Sequence, residues 1–431
     1  TRITGNHYFY LNFCKILLTE DLEKQIKRKG EDFPDFWDGD YEYFNVIERA
    51  EKEGKHICLM KSRRKGFSWK ISAICANKYN TVRRSTTLIG ASSKKYLFPE
   101  GTMSMANDHL NFLNEHTGWA KKRLVDTLSH KKSGYRQEVN GMMIEKGYKS
   151  QIIAATFNDN PDACRGKDAS LIIFEEIGTW TNLKESYLAT KDTVEDGIHT
   201  TGLIILQGTG GEIQEGIQDI SDIYYNPEVY NILPFDNTYE EDERKCGYFF
   251  PDYQNKSGFI DEFGNSDKVG AQLHEQKIRD NIAKKSKDKR TLISRIIEHP
   301  FTPTEALYLS ATNRFPVLDL KHRLASLEAN KKEREADYIG NLLIEEDGKV
   351  IWKEDTKLYP LIDFPLRMEQ STDGCIVIYN MPYTAEDGKV PYSMYLAGID
   401  PYDHDKSQTT SLGSTFVYDK LNKKIVAEYT A

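Results

Sequence analysis

The densest chemistry in the sequence is KSRRKGFS, Lys61 to Ser68. It joins a short apolar run, His56 to Met60, to a stretch with helical spacing, Ser68 to Lys78. Strand, Gly-containing loop and helix in that order point backbone N–H groups and a helix N-terminus at phosphate oxygens. The usual pattern is GxxxxGK[ST]. Gly66 and Ser68 fit it, whereas Lys61 stands at the first Gly position and Phe67 at the Lys position. Gly66 allows close backbone approach, and the Ser68 hydroxyl is a magnesium ligand in this reading. The charge that the lysine normally brings to the terminal phosphates is expected from Arg64 or Lys65, with Lys61 as a third candidate. The plain alternative is a basic surface turn.

Two later strand ends add to the loop. ASLIIFEE runs four apolar residues straight into Glu175-Glu176. At a magnesium-nucleotide site the first carboxylate holds the metal, usually through water, and the second orients or deprotonates the attacking water. A solvated strand end is the alternative. The next apolar run ends in Gln207-Gly208-Thr209-Gly210-Gly211, and polar turns at strand carboxyl ends are where α/β sheets bind ligands. Thr209 is the candidate that senses the γ-phosphate and couples hydrolysis to movement.

The elements that must position these residues are short buried strands: HICLM, TTLIGAS (86–92), SQIIAAT (150–156), SLIIFEE (170–176) and GLIILQGT (202–209), with helical segments between them. That alternation predicts an α/β fold with a parallel central sheet covered on both faces. Residues 239–264 read as irregular. Residues 267–297 read as a long charged helix or helix pair, and 318–336 as a further charged helix. Residues 339–392 are strand-like, with turns at Asp347-Gly348, Asp373-Gly374 and Asp387-Gly388, and a new α/β unit is expected to open at MYLAGIDPYDHD. The 431 residues suit two or three domains, and 39% apolar with 29% charged residues is a globular composition. No run approaches a membrane span. The six cysteines form no CxxC pair, which argues against structural zinc; Cys58 and Cys75 read as buried free thiols. A net charge of −8 argues against a globally basic nucleic-acid binder but does not exclude a local basic groove. The chain starts at Thr1 and stops at Ala431 within the strand-like IVAEYTA, and is expected to be a piece of a longer or engineered protein.

These residues resemble the large terminase subunit of tailed bacteriophages, the motor that packages viral DNA. SRRKGFS is similar to that family's deviant phosphate loop, CRGKDASLIIFEE to its Arg-Gly element and acidic strand, and HPFTPTEALYLS (299–310) to the segment closing its ATPase core. YFYLNFCKIL resembles the N-terminal aromatic element near the nucleotide base, and MYLAGIDPYDHD the first strand of the RNase H-like nuclease, with Asp400 as its first metal ligand. The resemblance implies a RecA/ASCE-type P-loop core at 1–235, a lid or linker subdomain at 236–335, and a β-rich connector with the start of the nuclease at 336–431. It implies ATP and Mg2+ as cofactors. Its partners would be double-stranded DNA, portal protein, the small terminase subunit and further copies in a ring, at the procapsid portal vertex in the host bacterial cytoplasm, with no membrane.

On this reading Ser62, Arg63, Arg64, Lys65, Gly66, Phe67 and Ser68 bind nucleotide, with the amides from Arg63 to Ser68 on the β-phosphate. Ser68 and Glu175 place magnesium, and Glu176 is the base. Tyr8, Phe9 and Asn12 contact adenine or belong to the core. Arg63, Arg64 and Arg165 are candidates for the arginine that neutralises transition-state charge, although Arg165 alternatively braces the acidic strand. After Asp400 only Asp403, Asp405, Asp419 and Glu428 remain as nuclease carboxylates, so cleavage is expected of an intact protein only. Lys94-Lys95, Lys121 to Arg123 and Lys131-Lys132 are basic spots for DNA or merely solvated faces. Two rivals stand beside the motor. A DNA helicase would need a second phosphate loop, which 234–392 lacks; a nucleotide-binding regulatory or assembly module without turnover would explain the absent lysine.

Overall fold

The computed structural model describes residues 2–22, 26–157, 166–197, 199–210, 214–240, 244–286, 288–307, 338–361, 373–386, 388–400 and 412–431. Arg165, Cys164, the helix expected at 318–336, the end of HPFTPTEALYLS, Asp403 and Asp405 lie outside them. The chain forms two compact units, Thr1–His322 and Arg323–Ala431.

In the first unit α1 (Gly5–Phe13) and the hairpin β1–β2 (Ile16–Leu22, Ile26–Asp32) precede α2 (Asp38–Glu53). Next come β3 (Ile57–Lys61), α3 (Phe67–Thr81), β4 (Thr86–Ala91), α4 (Thr102–His116), β5 (Arg123–Asp126), β6 (His130–Ser133), β7 (Tyr135–Val139) and β8 (Met142–Lys146). β9 (Gln151–Thr156), β10 (Leu171–Glu175), α5 (Leu183–Lys191), the short pair β11–β12 (Glu195–Asp196, His199–Thr200), β13 (Leu203–Gly208) and α6 (Gln214–Tyr225) follow. A second short pair β14–β15 (Phe235–Asp236, Lys245–Cys246), β16 (Tyr248–Phe250), α7 (Lys268–Lys285), α8 (Lys289–Glu298) and α9 (Pro303–Ala306) complete the unit.

The central sheet runs β16-β3-β13-β10-β4-β9-β6-β5. It is parallel from β16 to β9 and antiparallel beyond. β3, β4, β10 and β13 are buried at every residue, which explains their unbroken apolar runs. Leu171 and Ile173 face a core shared with Ile71 and Ile74 of α3, while Ile172 and Phe174 face one shared with Trp180, Ile220 and Tyr224. Helices therefore cover both faces. The loop strand β3 and the acidic strand β10 are separated by β13, so all three predicted site elements end at the same edge of the sheet. This is the strand arrangement of a RecA/ASCE-type core.

The boundary expected at residues 235/236 meets a different fact. β16 pairs parallel to β3, with Phe250 opposite Lys61, and Tyr248 and Phe250 are core residues. Three residues are too short a run to show periodicity, so this strand was unreadable within the irregular-looking stretch. The charged segment that follows is a helix pair, α7 and α8.

The second unit holds β17 (Tyr338–Ile344), β18 (Val350–Glu354), β19 (Ile376–Ile378), β20 (Tyr395–Asp400), β21 (Ser414–Asp419) and β22 (Lys424–Thr430). They form one antiparallel sheet in the order β18-β17-β19-β22-β21-β20. The Gly-Ile-Asp strand thus shares a sheet with the strand-like region before it. No helix among the described residues is long and apolar enough to cross a membrane.

Candidate nucleotide-binding site

β3 ends at Lys61 and α3 begins at Phe67, leaving five residues to reverse the chain. Arg64 (φ 59°) and Gly66 (φ 71°) adopt the left-handed conformation, which Gly takes without steric cost and Arg does not. The turn sets the first N–H groups of α3 outward, with no side-chain cap and no acidic residue in the first turn. The loop's own amides divide. Ser62 N–H donates to the Phe250 carbonyl and Arg63 N–H to the Glu298 carbonyl, both at 3.0 Å. These two are not available to a phosphate, contrary to the sequence expectation for Arg63; the amides of Arg64 to Ser68 are the ones left to face an anion.

The side chains divide as sharply. Phe67, at the lysine position, is a core wedge with its ring edge-on to Tyr43 (4.8 Å) and Phe250 (4.9 Å). Lys65 is buried with its ammonium on the Asp252 carbonyl and 3.7 Å from the Asp252 carboxylate. Of the three candidates for the missing charge, Lys65 is thus the one already committed to a carboxylate behind the loop. Arg63 pairs with Glu298 at the surface. Arg64 is exposed and, among the described residues, has no partner. Lys61, the third candidate, is the loop cation that reaches the acidic strand. Its Nζ lies 2.9 Å from Oε1 of Glu176.

Around that contact three strand ends meet. Ser68 Oγ donates to Glu175 Oε1 at 2.6 Å, and Gln207 Nε2 donates to Glu175 Oε2 at 2.6 Å. Tyr43 O–H in turn donates to Gln207 Oε1 at 3.4 Å. Glu176 breaks the strand in left-handed geometry (φ 50°), costing about 1–3 kcal/mol and turning its carboxylate back toward Lys61. Thr209 Oγ1 lies 3.3 Å from Glu176 Oε2 and donates to it. Gly208 makes the approach possible, since a Cβ there would stand 2.5 Å from the Ile177 nitrogen. Burial, then the neighbouring Glu176, pushes the Glu175 carboxyl up. Burial pushes Glu176 the same way, but the charge and hydrogen bond of Lys61 outweigh it and hold Glu176 below its ordinary value.

A second cluster holds the loop from behind. Asp252 accepts from Ser62 Oγ (2.9 Å) and His299 Nδ1 (2.8 Å), and pairs with Lys256. Lys256 also reaches Glu275 (2.9 Å), which a two-pronged Arg295 holds at 2.6 and 2.7 Å. Asp252, Glu275 and His299 lie close enough to share a metal ion. Lys65, Lys256 and Arg295 already outnumber the two carboxylates, so the donor set is spent and a divalent cation would meet net positive charge. His299 and Phe301 to Ala306 belong to the HPFTPTEA segment. Arg279 grips Glu305 with two bonds (2.8 and 2.9 Å), and the Ala306 carbonyl sits so close to Gly210 that a Cβ there would be 1.9 Å away. The segment therefore touches the turn after Thr209 directly and reaches the phosphate loop through Asp252, which accepts from both His299 and Ser62. Sequence reading missed Asp252 and Tyr43; it named Gln207 in the polar turn after an apolar run but gave it no role.

The N-terminal candidates lie elsewhere. Phe9 is 3% exposed and is a core residue against Phe13. Asn12 donates its amide to the Tyr8 carbonyl at 2.8 Å, and Tyr8 is exposed. α1 docks through Asn6 on Asn77, ten residues along α3 from the loop. Beside the loop, a polar cavity of about 240 Å³ is lined by Glu42, Tyr239, Phe250, Tyr253 and Gln254. In the second unit Asp400 ends β20 and is exposed. Asp419 accepts from the amides of Leu421 and Asn422 within its own turn, and Glu428 accepts from Tyr379. Among the described residues no three-ligand cluster includes Asp400. Cys58 and Cys75 are buried and in no disulfide.

No protein-family model and no curated protein sequence matches the chain. Among solved structures the chain is similar to bacteriophage large terminases. The large terminase ATPase domain of Thermus phage P74-26 aligns over 58% of this chain and 88% of its own, at 10% identity and a TM-score of 0.37. The large terminase of bacteriophage HK97 aligns over 96% of this chain and 64% of its own, at 10% identity and a TM-score of 0.36.

Proposed function

We propose that the first unit is a magnesium-dependent ATPase that drives double-stranded DNA into a viral procapsid, as a large terminase does. The observation that carries the ATPase reading is the convergence of three strand ends on one point. Lys61, Glu176 and Thr209 meet there, with Ser68 and Glu175 bonded beside them. Glu176 takes the proton of the attacking water as its oxygen bonds to the γ-phosphorus and the β–γ bridging oxygen leaves on ADP. Lys61 supplies the charge that the loop's Phe67 cannot. Exposed Arg64 is the arginine free to meet transition-state charge, in its own or a neighbouring site.

The donor set fits magnesium. A hydroxyl and a carboxylate oxygen stand 2.6 Å apart, both hard oxygens, and the buried Glu175 has no cation of its own. Bound there, the ion would neutralise charge on the β- and γ-phosphate oxygens. Gln207 fixes Glu175 from its far side. The base of the nucleotide is assigned to the cavity at Glu42, Tyr239 and Tyr253, where aromatic rings and a carboxylate acceptor suit an aminopurine, rather than to α1. Partners by the resemblance are the portal protein, the small terminase subunit and further copies in a ring at the portal vertex in the host cytoplasm.

One observation favours a binding module without turnover. Glu176 is already occupied by Lys61 and Thr209. Phosphate release with magnesium, DNA and portal separates the readings. Turnover that disappears in Glu176→Gln supports the motor. Tight ATP binding with no turnover under all these conditions supports the module.

A further inference from the structure

The β7–β8 hairpin stands out from the edge of the central sheet between β6 and β9. Its base is pinned. Ser133 and Ser150 are fully buried, bond to each other at 2.9 Å, and Ser150 Oγ donates to the Tyr79 carbonyl at 2.6 Å. Its tip, Asn140-Gly141, has φ of 53° and 78°, the tight turn that keeps the two strands twisted together. Cross-strand partners share a face. Tyr135 opposite Lys146, Gln137 opposite Ile144 and Val139 opposite Met142 make one face without a carboxylate. Glu138 and Glu145 lie on the other, where Glu145 is taken by Lys132 at 2.7 Å.

The acid-free face is unusual for a chain of net charge −8. Tyr135 is 43%, Met142 67% and Ile144 40% exposed. Lys122 lies over the Tyr135 ring (5.8 Å) and Lys121 over the Tyr148 ring (4.5 Å) at the hairpin base. The Arg84 amide is bonded to the Tyr148 carbonyl, which brings the exposed Arg83-Arg84 pair to the same place. Among the described residues Lys121, Lys122, Lys146, Arg83 and Arg84 have no carboxylate partner. Of the neighbouring basic residues, Arg123 and Lys131 are spent on Asp126 and Lys132 on Glu145.

We infer that the acid-free face of the β7–β8 hairpin, with the lysines and arginines at its base, is the surface on which this chain engages double-stranded DNA. The inference rests on the reading of the chain as a DNA-moving ATPase and names its contact. A two-stranded ribbon about 17 Å long fits the roughly 12 Å major groove. The basic base then meets the flanking phosphates, where unpaired cations release condensed counterions. The ribbon face offers apolar and aromatic surface and few base-reading groups, which suits binding that must not depend on sequence as DNA moves through.

The test is anisotropy of a labelled duplex of random sequence over a series of salt concentrations. Lys121→Glu, Lys122→Glu and Lys146→Glu combined should weaken binding at least tenfold. They should also flatten the dependence of log K on log salt by about 2 to 3, at roughly 0.9 per phosphate contact. Lys284→Glu with Lys285→Glu on α7 should change neither. The corresponding Gln triple, with its melting curve, shows the effect in a folded chain should the Glu triple unfold. Unchanged affinity and slope in a wild-type chain that does bind duplex overturns the surface alone. No duplex binding by the wild type at any salt removes the DNA-motor reading with it. Stronger competition by single strands, or self-association lost in the triple with duplex binding intact, also overturns the proposal.

Discussion

Two ionic regions grip the same phosphate loop, one at its front and one behind. In front, Lys61 faces Glu176 beside a second carboxylate, Glu175, which has hydroxyl and amide donors but no cation of its own. Behind, Asp252 and Glu275 are matched by Lys65, Lys256 and Arg295, with His299 closing the set. The first region is left one positive charge short, and a nucleotide site needs that vacancy for its metal. The second has three cations for two carboxylates, leaves no place for a metal, and holds the loop in place. Two lysines four residues apart thus carry different work, decided by which side of the loop each leaves.

The largest expected effect tests that division. Lys61→Ala and Glu176→Gln should each lower ATP turnover by about 10²–10⁴-fold, measured by phosphate release at a temperature where melting curves show the variant folded. Lys65→Met should keep turnover within about tenfold of wild type, on the scale of a relay that only positions. Equal losses from Lys61→Ala and Lys65→Met would erase the distinction between front and back.

Stability should show the reverse pattern. Asp252→Asn leaves the Lys65 ammonium, whose side chain is 4% exposed, without its carboxylate. It should cost about 3–5 kcal/mol in denaturant unfolding. A loss under about 1 kcal/mol would mean that the rear cluster is not holding the loop.

The pH dependence sharpens the same contrast. Burial pushes Asp252 and Glu275 up, but their cationic and His299 partners outweigh it and hold both below the usual carboxylate range. Their contribution is present above the unfolded values of about 4. It drains away as pH falls through the folded values. Burial lowers Lys65 to about 8 despite Asp252. Between that value and the unfolded value of about 10.4 the unfolded chain binds more protons, so stability from this group rises with pH there. Urea midpoints across pH should lose much of the acid-side fall in Asp252→Asn, and the alkaline rise in Lys65→Met. The smallest effect is expected at the exposed Arg63–Glu298 pair, where Glu298→Ala should change stability by about 0–1 kcal/mol.

The legible parts of the site were those with a local pattern. The strand, loop and helix around Gly66, the apolar run into Glu175-Glu176, and the turn at Thr209 are contiguous in sequence, and strand carboxyl ends in one sheet had to meet. Lys61 was visible as a candidate but could not be ranked over Lys65, because both flank the same reversal. Asp252 was not legible. It sits in an unpatterned stretch, and its partners Ser62 and His299 are 190 and 47 residues away. The core strand β16 failed to show because three residues carry no period, and Phe9 could not be decided because an aromatic residue in a helix looks the same whether it stacks on a base or fills a core.

By itself the sequence determined the parallel α/β core, through buried strands whose apolar runs exceed what a half-exposed sheet allows. It also set the order of the chemical elements along the chain. Only the tertiary structure decided which cation serves the acids, which amides remain for phosphate, and which basic residues stand together on an acid-free ribbon. Strand identity is written in neighbouring residues, whereas the fate of a charge depends on burial and on partners brought from far along the chain.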